Sequence, residues 1–173
     1  MTGLVFVDSN VLVYSVDARD PRKQRLAHRW LDELWRAQTG RLSVQVLNEF
    51  YVNATRSGGV GLAQAEAWAV YSSFRAWQPQ AIDESLVDLA REIQVRHRRS
   101  WWDCLIVAAA HVQGCSMLLS EDFADGEVMA GVTVRNPFAD RVQETIAGYA
   151  AIIARPEPRG RGRPRRTPVV SSA

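Results

Sequence analysis

Two short apolar runs in this chain each give way to an acid, and no other feature restricts the fold as much. Leu4–Val7 lies between Gly3 and Asp8, and Ser116–Leu119 is followed by Ser120, Glu121 and Asp122. Short apolar runs without polar alternation suit strands buried on both faces, as in a parallel sheet. Gly131–Val134 reads as a third such strand, ahead of Asn136-Pro137-Phe138.

Helical patterns fill the intervals. Asn10–Tyr14 begins a helix or loop over the end of the first strand. Asp20 is a helix N-cap with Pro21 at the first helical position. Leu26, Trp30, Leu31 and Leu34 then share one face, and Gly40 ends the helix. Leu42 reads as a short strand. Ser43 caps a helix from about Val44 to Arg56, with Val46, Leu47, Phe50 and Val52 on its apolar side. The Ser57-Gly58-Gly59 loop leads to a third helical pattern over Leu62–Trp77. Asp83 caps a helix through about Arg96 after a brief extended segment at Ile82. Ser100 caps a helix ending at Gln113, with Gly114 just past it. Ala139–Ile153 could add a closing helix. Strands alternating with helices predict an α/β domain, helices on both faces of a mainly parallel central sheet.

Composition bounds the class. A chain of 173 residues, 47% apolar and 23% charged, is ordinary for one globular domain. No run approaches the ~18 apolar residues of a membrane span, and no signal-like segment opens the chain, so the expected location is cytoplasmic with no membrane partner. Cys104 and Cys115 form no ligand or disulfide pattern and read as reduced hydrophobes. His28, His97 and His111 share no motif, which argues against a histidine metal site.

Four acids stand beside apolar runs: Asp8, Glu49 in LSVQVLNEFYV, Asp103 in SWWDCLIVAAA, and Asp122. A carboxylate next to a core element costs free energy unless it is paired or bound to a cation, and Lys23 is the only lysine. Sites in open parallel sheets form outside the carboxyl ends of the strands, where Asp8 and Asp122 both belong. Three of them also have a local explanation: Asp103 complements its helix dipole, Asp122 shapes a turn, Glu49 is an exposed helix acid. Taken together they suggest one acidic pocket. An all-oxygen set without His or Cys selects Mg²⁺, with Mn²⁺ as the alternative. Such an ion can activate and orient a water and stabilise charge on a phosphoryl oxygen, as phosphodiester hydrolysis requires. Asp125 reads as a turn former before Gly126.

These segments resemble the PIN domain, specifically the VapC-type toxin of bacterial toxin–antitoxin pairs. VDSNVLVYSVD is similar to the family's opening strand and acid, SVQVLNEFYVNATR to its acidic second helix, WWDCLIVAAA to its third acid and alanine-rich helix, and LLSEDFADG…VRNPF to its closing strands and fourth acid. The resemblance covers about residues 3–138. It implies a three-layer α/β/α domain over residues 1–138 and a metal-dependent ribonuclease that cuts RNA. It also implies inhibition by a cognate antitoxin and a homodimer. Asp8, Glu49, Asp103 and Asp122 would be the catalytic, Mg²⁺-binding acids, and Ser9, Asn10 and Ser120 the polar neighbours that orient them. The family pattern ends near Phe138, so 139–154, a possible extra helix, and 155–173 form an extension whose role it does not supply.

That extension carries its own signal. Residues 155–173 hold Arg155, Arg159, Arg161, Arg163, Arg165 and Arg166 against Glu157, a net charge of +5 that leaves 1–154 at −3. Rich in Pro and Gly, the segment reads as a disordered basic tail. Arg-Gly-Arg-Pro at 161–164 resembles an AT-hook core, which would fit the minor groove of A·T-rich DNA. Looser nucleic-acid affinity through the arginines and an inert solvated tail are the other two readings. Of the six tryptophans, Trp30, Trp35, Trp68 and Trp77 read as helix packing. Trp101 or Trp102, beside Asp103, could stack on a substrate base.

Two other acid-bearing α/β families fit poorly. A phosphoacceptor receiver needs a lysine near the late strands, and Lys23 is too early; a haloacid-dehalogenase-like phosphatase needs Asp-x-Asp where Asp8-Ser9-Asn10 stands. The remaining alternative to a nuclease is a noncatalytic module that acts through a protein partner and a DNA-binding tail.

Overall fold

The strands β1 (Leu4–Val7), β2 (Gly40–Arg41), β3 (Cys115–Leu119), β4 (Val128–Met129) and β5 (Val132–Arg135) form one five-stranded sheet of order β2-β1-β3-β5-β4. This computed structural model describes residues 3–139 together with Gly148. Every pairing is parallel except the terminal β4–β5 hairpin. β1 therefore has a strand on each side, and Val5, Phe6 and Val7 are fully buried, which is why its sequence carries no polar alternation.

Helices α1 (Ser9–Val16), α2 (Pro21–Ala37), α3 (Val44–Thr55), α4 (Gln64–Ser73), α5 (Glu84–His97) and α6 (Trp101–Val112) flank the sheet. α6 lies against β3 and β5 and carries α5, while α1 packs on α2 and α3. The N-caps fall where the short polar residues stand. Asp20, Ser43, Asp83 and Ser100 each accept a backbone N–H from their first turn, a contribution of roughly 0.5–2 kcal/mol apiece. α6 is buried along most of its length, from Cys104 to Ala110. Its small side chains let the sheet and α5 approach closely.

The α/β architecture is as the sequence predicts; several details are not. α2 ends at Ala37, its C-cap Gln38 takes a left-handed conformation (φ 56°), and Gly40 instead begins β2. A Cβ at Gly40 would stand 2.5 Å from the Trp77 ring, so the absence of a side chain there lets that indole cover the strand. The pattern over Leu62–Trp77 divides into α4 and a 3-10 turn, Phe74–Trp77. Val52, read as core, is 59% exposed, and Trp35 and Trp68 are also exposed. Trp68 stacks on Tyr71 and meets Tyr51 edge-on, so those rings cover one another on the surface. The two-residue strand β4 has no counterpart in the sequence reading. Asp125 is a turn residue, its carboxylate accepting the Asn136 N–H at 2.9 Å.

The suggested helix over 139–154 and the arginine tail lie outside the described residues, apart from Ala139 and Gly148. Among the described residues no helix is long and apolar enough to cross a membrane.

Candidate functional site

Register sets the centre of the site. Val7 pairs with Leu119, so the next residues, Asp8 and Ser120, face each other where the strands end. The ladder continues one step beyond: Asp8 N–H donates to Leu119 O at 3.0 Å and Ser120 N–H to Arg135 O at 3.1 Å. Asp8 also caps α1 through the Ser9 N–H, at 2.6 Å. One carboxylate thus joins two strands and a helix.

Asp8 is 2% exposed. Desolvation raises its carboxyl from 3.8 to about 6, against the pull of hydrogen bonds from Ser120 and the Ser9 backbone; the charges of Asp122 and Glu49 push it further up. Ser120 is fully buried and uses its whole hydrogen-bonding capacity. Its hydroxyl donates to Asp8 Oδ2 at 2.6 Å and accepts from Asn10 Nδ2 and the Asp122 N–H, both at 3.2 Å. Asn10 Nδ2 also donates to Asp8 Oδ2 and Asp122 Oδ2, each at 3.2 Å. Ser9 Oγ donates to Glu49 Oε2 at 2.8 Å and to Asp8 Oδ1 at 3.3 Å.

Three of the four acids are therefore linked. Asp8, Glu49 and Asp122 are bridged by Ser9, Asn10 and Ser120. Asp103 stands apart in the first turn of α6, its N–H donating to the Ser100 cap at 3.2 Å. The residue preceding Asp103 is tied to Glu49 by Gln45, whose Nε2 donates to Glu49 Oε1 at 2.8 Å and to the Trp102 carbonyl at 3.3 Å. Among the described residues, no three His, Cys, Asp or Glu side chains are gathered closely enough to hold one metal ion. Neutral donors thus bridge Asp8, Glu49 and Asp122, with Asp103 on the neighbouring helix α6.

The donor chemistry nevertheless fits a hard divalent cation. Every candidate ligand atom is an oxygen. Among the described residues, Asn10 Oδ1 is buried without a hydrogen-bond partner, an acceptor left over beside Asp8 and Asp122. A buried carboxyl raised to about 6 is one whose charged form a cation would favour. The cysteines take no part: burial pushes the Cys115 thiol up to about 12 and Cys104 up as well.

Sequence reasoning missed several neighbours. Gln45 is buried and lies one helical turn before Glu49, a spacing that could have flagged it. Arg19, Asn53 and Arg56 line a cavity of about 230 Å³ that Ser9, Asn10 and Asp122 also border. On the Glu49 side a cavity of about 460 Å³ is lined by Gln45, Asn48, Glu49, Ile82 and Trp102. Lys23 bridges the Glu121 carboxylate at 2.6 Å and the Tyr14 hydroxyl at 2.8 Å, tying the loop before Asp122 to α1 and α2.

No curated protein matches the sequence. The family model described as PIN domain matches residues 5–124, a span that includes all four acids.

Proposed function

We propose that this chain, which belongs to the PIN domain family, is a Mg²⁺-dependent endoribonuclease and the toxin of a toxin–antitoxin pair. PIN domains are in general metal-dependent nucleases. The observation that carries the reading is Asp8: a deeply buried carboxyl at the end of a central strand, oriented by Ser9, Asn10 and Ser120 and coupled to Glu49 and Asp122.

In this reading Asp8, Glu49, Asp103 and Asp122 would supply the oxygen ligands of the cation, Mg²⁺ or Mn²⁺. When bound, it supplies an acidified water and charge stabilisation at the phosphoryl group. Ser120 and the Ser9 N–H fix the Asp8 carboxylate so that its oxygens need not reorganise. Ser9 and Gln45 hold the two oxygens of Glu49. Asn10 spans Asp8 and Asp122 and keeps their repulsion from driving the loop after β3 away. Arg56 supplies positive charge beside the acids, where an RNA phosphate would approach, while Arg19 on the same cavity is paired with Asp17. An antitoxin protein and a second copy of the chain are the proposed partners, with the arginine tail as a further nucleic-acid contact.

One observation favours a second reading, a noncatalytic module acting through a protein partner: the acids are not gathered as ligands of one ion. The deciding experiment is RNA cleavage by the purified chain with Mg²⁺ or Mn²⁺, compared with Asp8→Asn and Asp103→Asn. The nuclease reading expects cleavage in the wild type and a loss of orders of magnitude in each variant with the fold retained. Absence of cleavage across RNA classes would leave the noncatalytic module. Wild-type cleavage by either variant would remove that residue from the site. The toxin role is tested separately, by growth arrest on expression and its relief by the product of a neighbouring small gene.

A further inference from the structure

The two cavities that flank the acids differ in chemistry. The one bordered by Arg19, Asn53 and Arg56 is polar and sets those two cations beside Glu121 and Asp122. The other, on the Glu49 side, holds one acid, two amides and no cation, and its remaining walls are Trp102 and Ile82. These two apolar side chains are 60% and 44% exposed. We propose that the Trp102–Ile82 shelf is a nucleobase subsite, taking one unpaired base of an RNA strand whose backbone crosses the acids; this rests on the nuclease reading above.

Three observations point to a base rather than a phosphate or a solvated surface. First, Glu49 would repel a phosphate here, whereas a base is neutral and planar, and stacking on an indole suits any base. Second, the shelf is continuous with the acids. Buried Gln45 donates both to Glu49 and to the Trp102 carbonyl, and Glu49 accepts from Ser9, which also donates to Asp8. Third, the ring stands on the first turn of a capped, buried helix, so little freedom is lost when a base stacks on it. Asn48, exposed on the rim, has among the described residues only a long 3.5 Å contact from the Tyr71 hydroxyl, leaving its amide able to read a base edge. At about 460 Å³ the cavity is within the range of small-ligand pockets, about 300–1,000 Å³. Base and phosphate would then occupy separate cavities, the first at Glu49 and the second at Asp122, which constrains how a single strand is laid down.

The test compares wild type, Trp102→Ala and Trp102→Phe for binding a short single-stranded RNA, with Ca²⁺ replacing Mg²⁺ to prevent cutting. A matched oligomer of equal length and charge, without bases, is the control. The expected result is a loss of roughly tenfold for Trp102→Ala on RNA and none on the abasic oligomer, with most affinity restored by Phe. Because Trp102 is exposed, thermal melts should be unchanged. Equal loss on both oligomers, or no loss, overturns the subsite, as does a change from dimer to monomer with RNA affinity intact, which would make the shelf a chain–chain contact. If the wild type cuts RNA in Mg²⁺ while Trp102→Ala binds RNA normally, only the subsite fails. If the wild type neither binds nor cuts RNA, the nuclease reading fails with it.

Discussion

Ser120 stands across the sheet from Asp8, and its hydroxyl donates to Asp8 Oδ2 at 2.6 Å with no exposure to solvent. The pair explains how a carboxyl can be kept at the centre of a parallel sheet. The hydroxyl is the largest influence opposing desolvation of Asp8, and it is held in place by two further donors, Asn10 and the Asp122 N–H.

Ser120→Ala should therefore weaken the site without touching a proposed ligand. Asp8 Oδ2 would keep only the Asn10 contact, and Mg²⁺ affinity should fall roughly 10–100-fold. Stability should drop by about 1–3 kcal/mol. Calorimetric titration of Mg²⁺ and a denaturant melt measure both; unchanged Mg²⁺ affinity would show that Ser120 does not organise Asp8.

The pH dependence of the metal-free protein follows from Asp8. Its carboxyl titrates near 6 when folded and near 3.8 as an unperturbed acid. Between those values the folded state keeps a proton that the unfolded state has released. This stabilisation is complete below about 3.8 and lost as pH rises through about 6, on the order of 3 kcal/mol. Asp17, held low first by its hydrogen bond from Arg19, and Asp83, held low first by the Leu86 N–H, act in the opposite sense at lower pH and are common to both proteins compared. In EDTA, Asp8→Asn should gain stability over wild type at pH 8 and show little advantage at pH 4. A constant difference across that range would remove Asp8 as the cause.

A bound cation should reverse that penalty. Mg²⁺ at about a hundred times its dissociation constant adds about 2.7 kcal/mol, so the melting temperature should rise with Mg²⁺ at pH 8 and return with chelator. RNA cleavage should disappear in excess EDTA. Asp8→Asn should lose the thermal shift; a shift of equal size in that variant would locate the ion elsewhere.

Gly40→Ala places a methyl against the buried Trp77 ring, where a Cβ would lie 2.5 Å from ring carbons. Overpacking of this kind costs about 1–3 kcal/mol. Shortening the neighbour, as Trp77→Leu, should reduce the cost of the glycine substitution in a double-mutant cycle. Additive costs would mean that the ring does not respond to position 40.

Truncation after Ala154 removes a net +5. It should spare folding and cleavage of short RNA and weaken binding to long nucleic acid at low salt. Loss confined to A·T-rich duplex would favour minor-groove binding, uniform loss would favour simple electrostatics, and equal affinities with and without the tail would mark it as inert.

What could be read from the chain was whatever local physics decides. The fully buried strand β1 and the helix caps at Asp20, Ser43, Asp83 and Ser100 announce themselves because a few adjacent residues suffice. Asp8 and Asp122 could be brought to one sheet edge because strand polarity alone puts them there. Asp103 could not be located relative to Glu49, since that depends on how α6 and α3 pack and on Gln45, a buried amide that looks like an ordinary helix residue. At Trp68 and Val52 the pattern misleads, because an apolar side chain at helical spacing indicates core only if another element covers that face. Gly40 reads as a helix stop because its real reason, the Trp77 ring, lies far along the chain.

The Asp8–Ser120 pair spans 112 residues of sequence, and β1 and β3 are nonetheless adjacent. A nascent chain emerging from the ribosome holds β1 for most of its synthesis without the strand that completes it. At about 5–20 residues per second, several seconds separate the appearance of the first acid from that of its buried partner. A segment ending before β3 should consequently show no Mg²⁺-dependent stabilisation, which can be measured on stalled chains of graded length. For a protein proposed to cut RNA, activity would arise only after translation has passed nearly the whole domain.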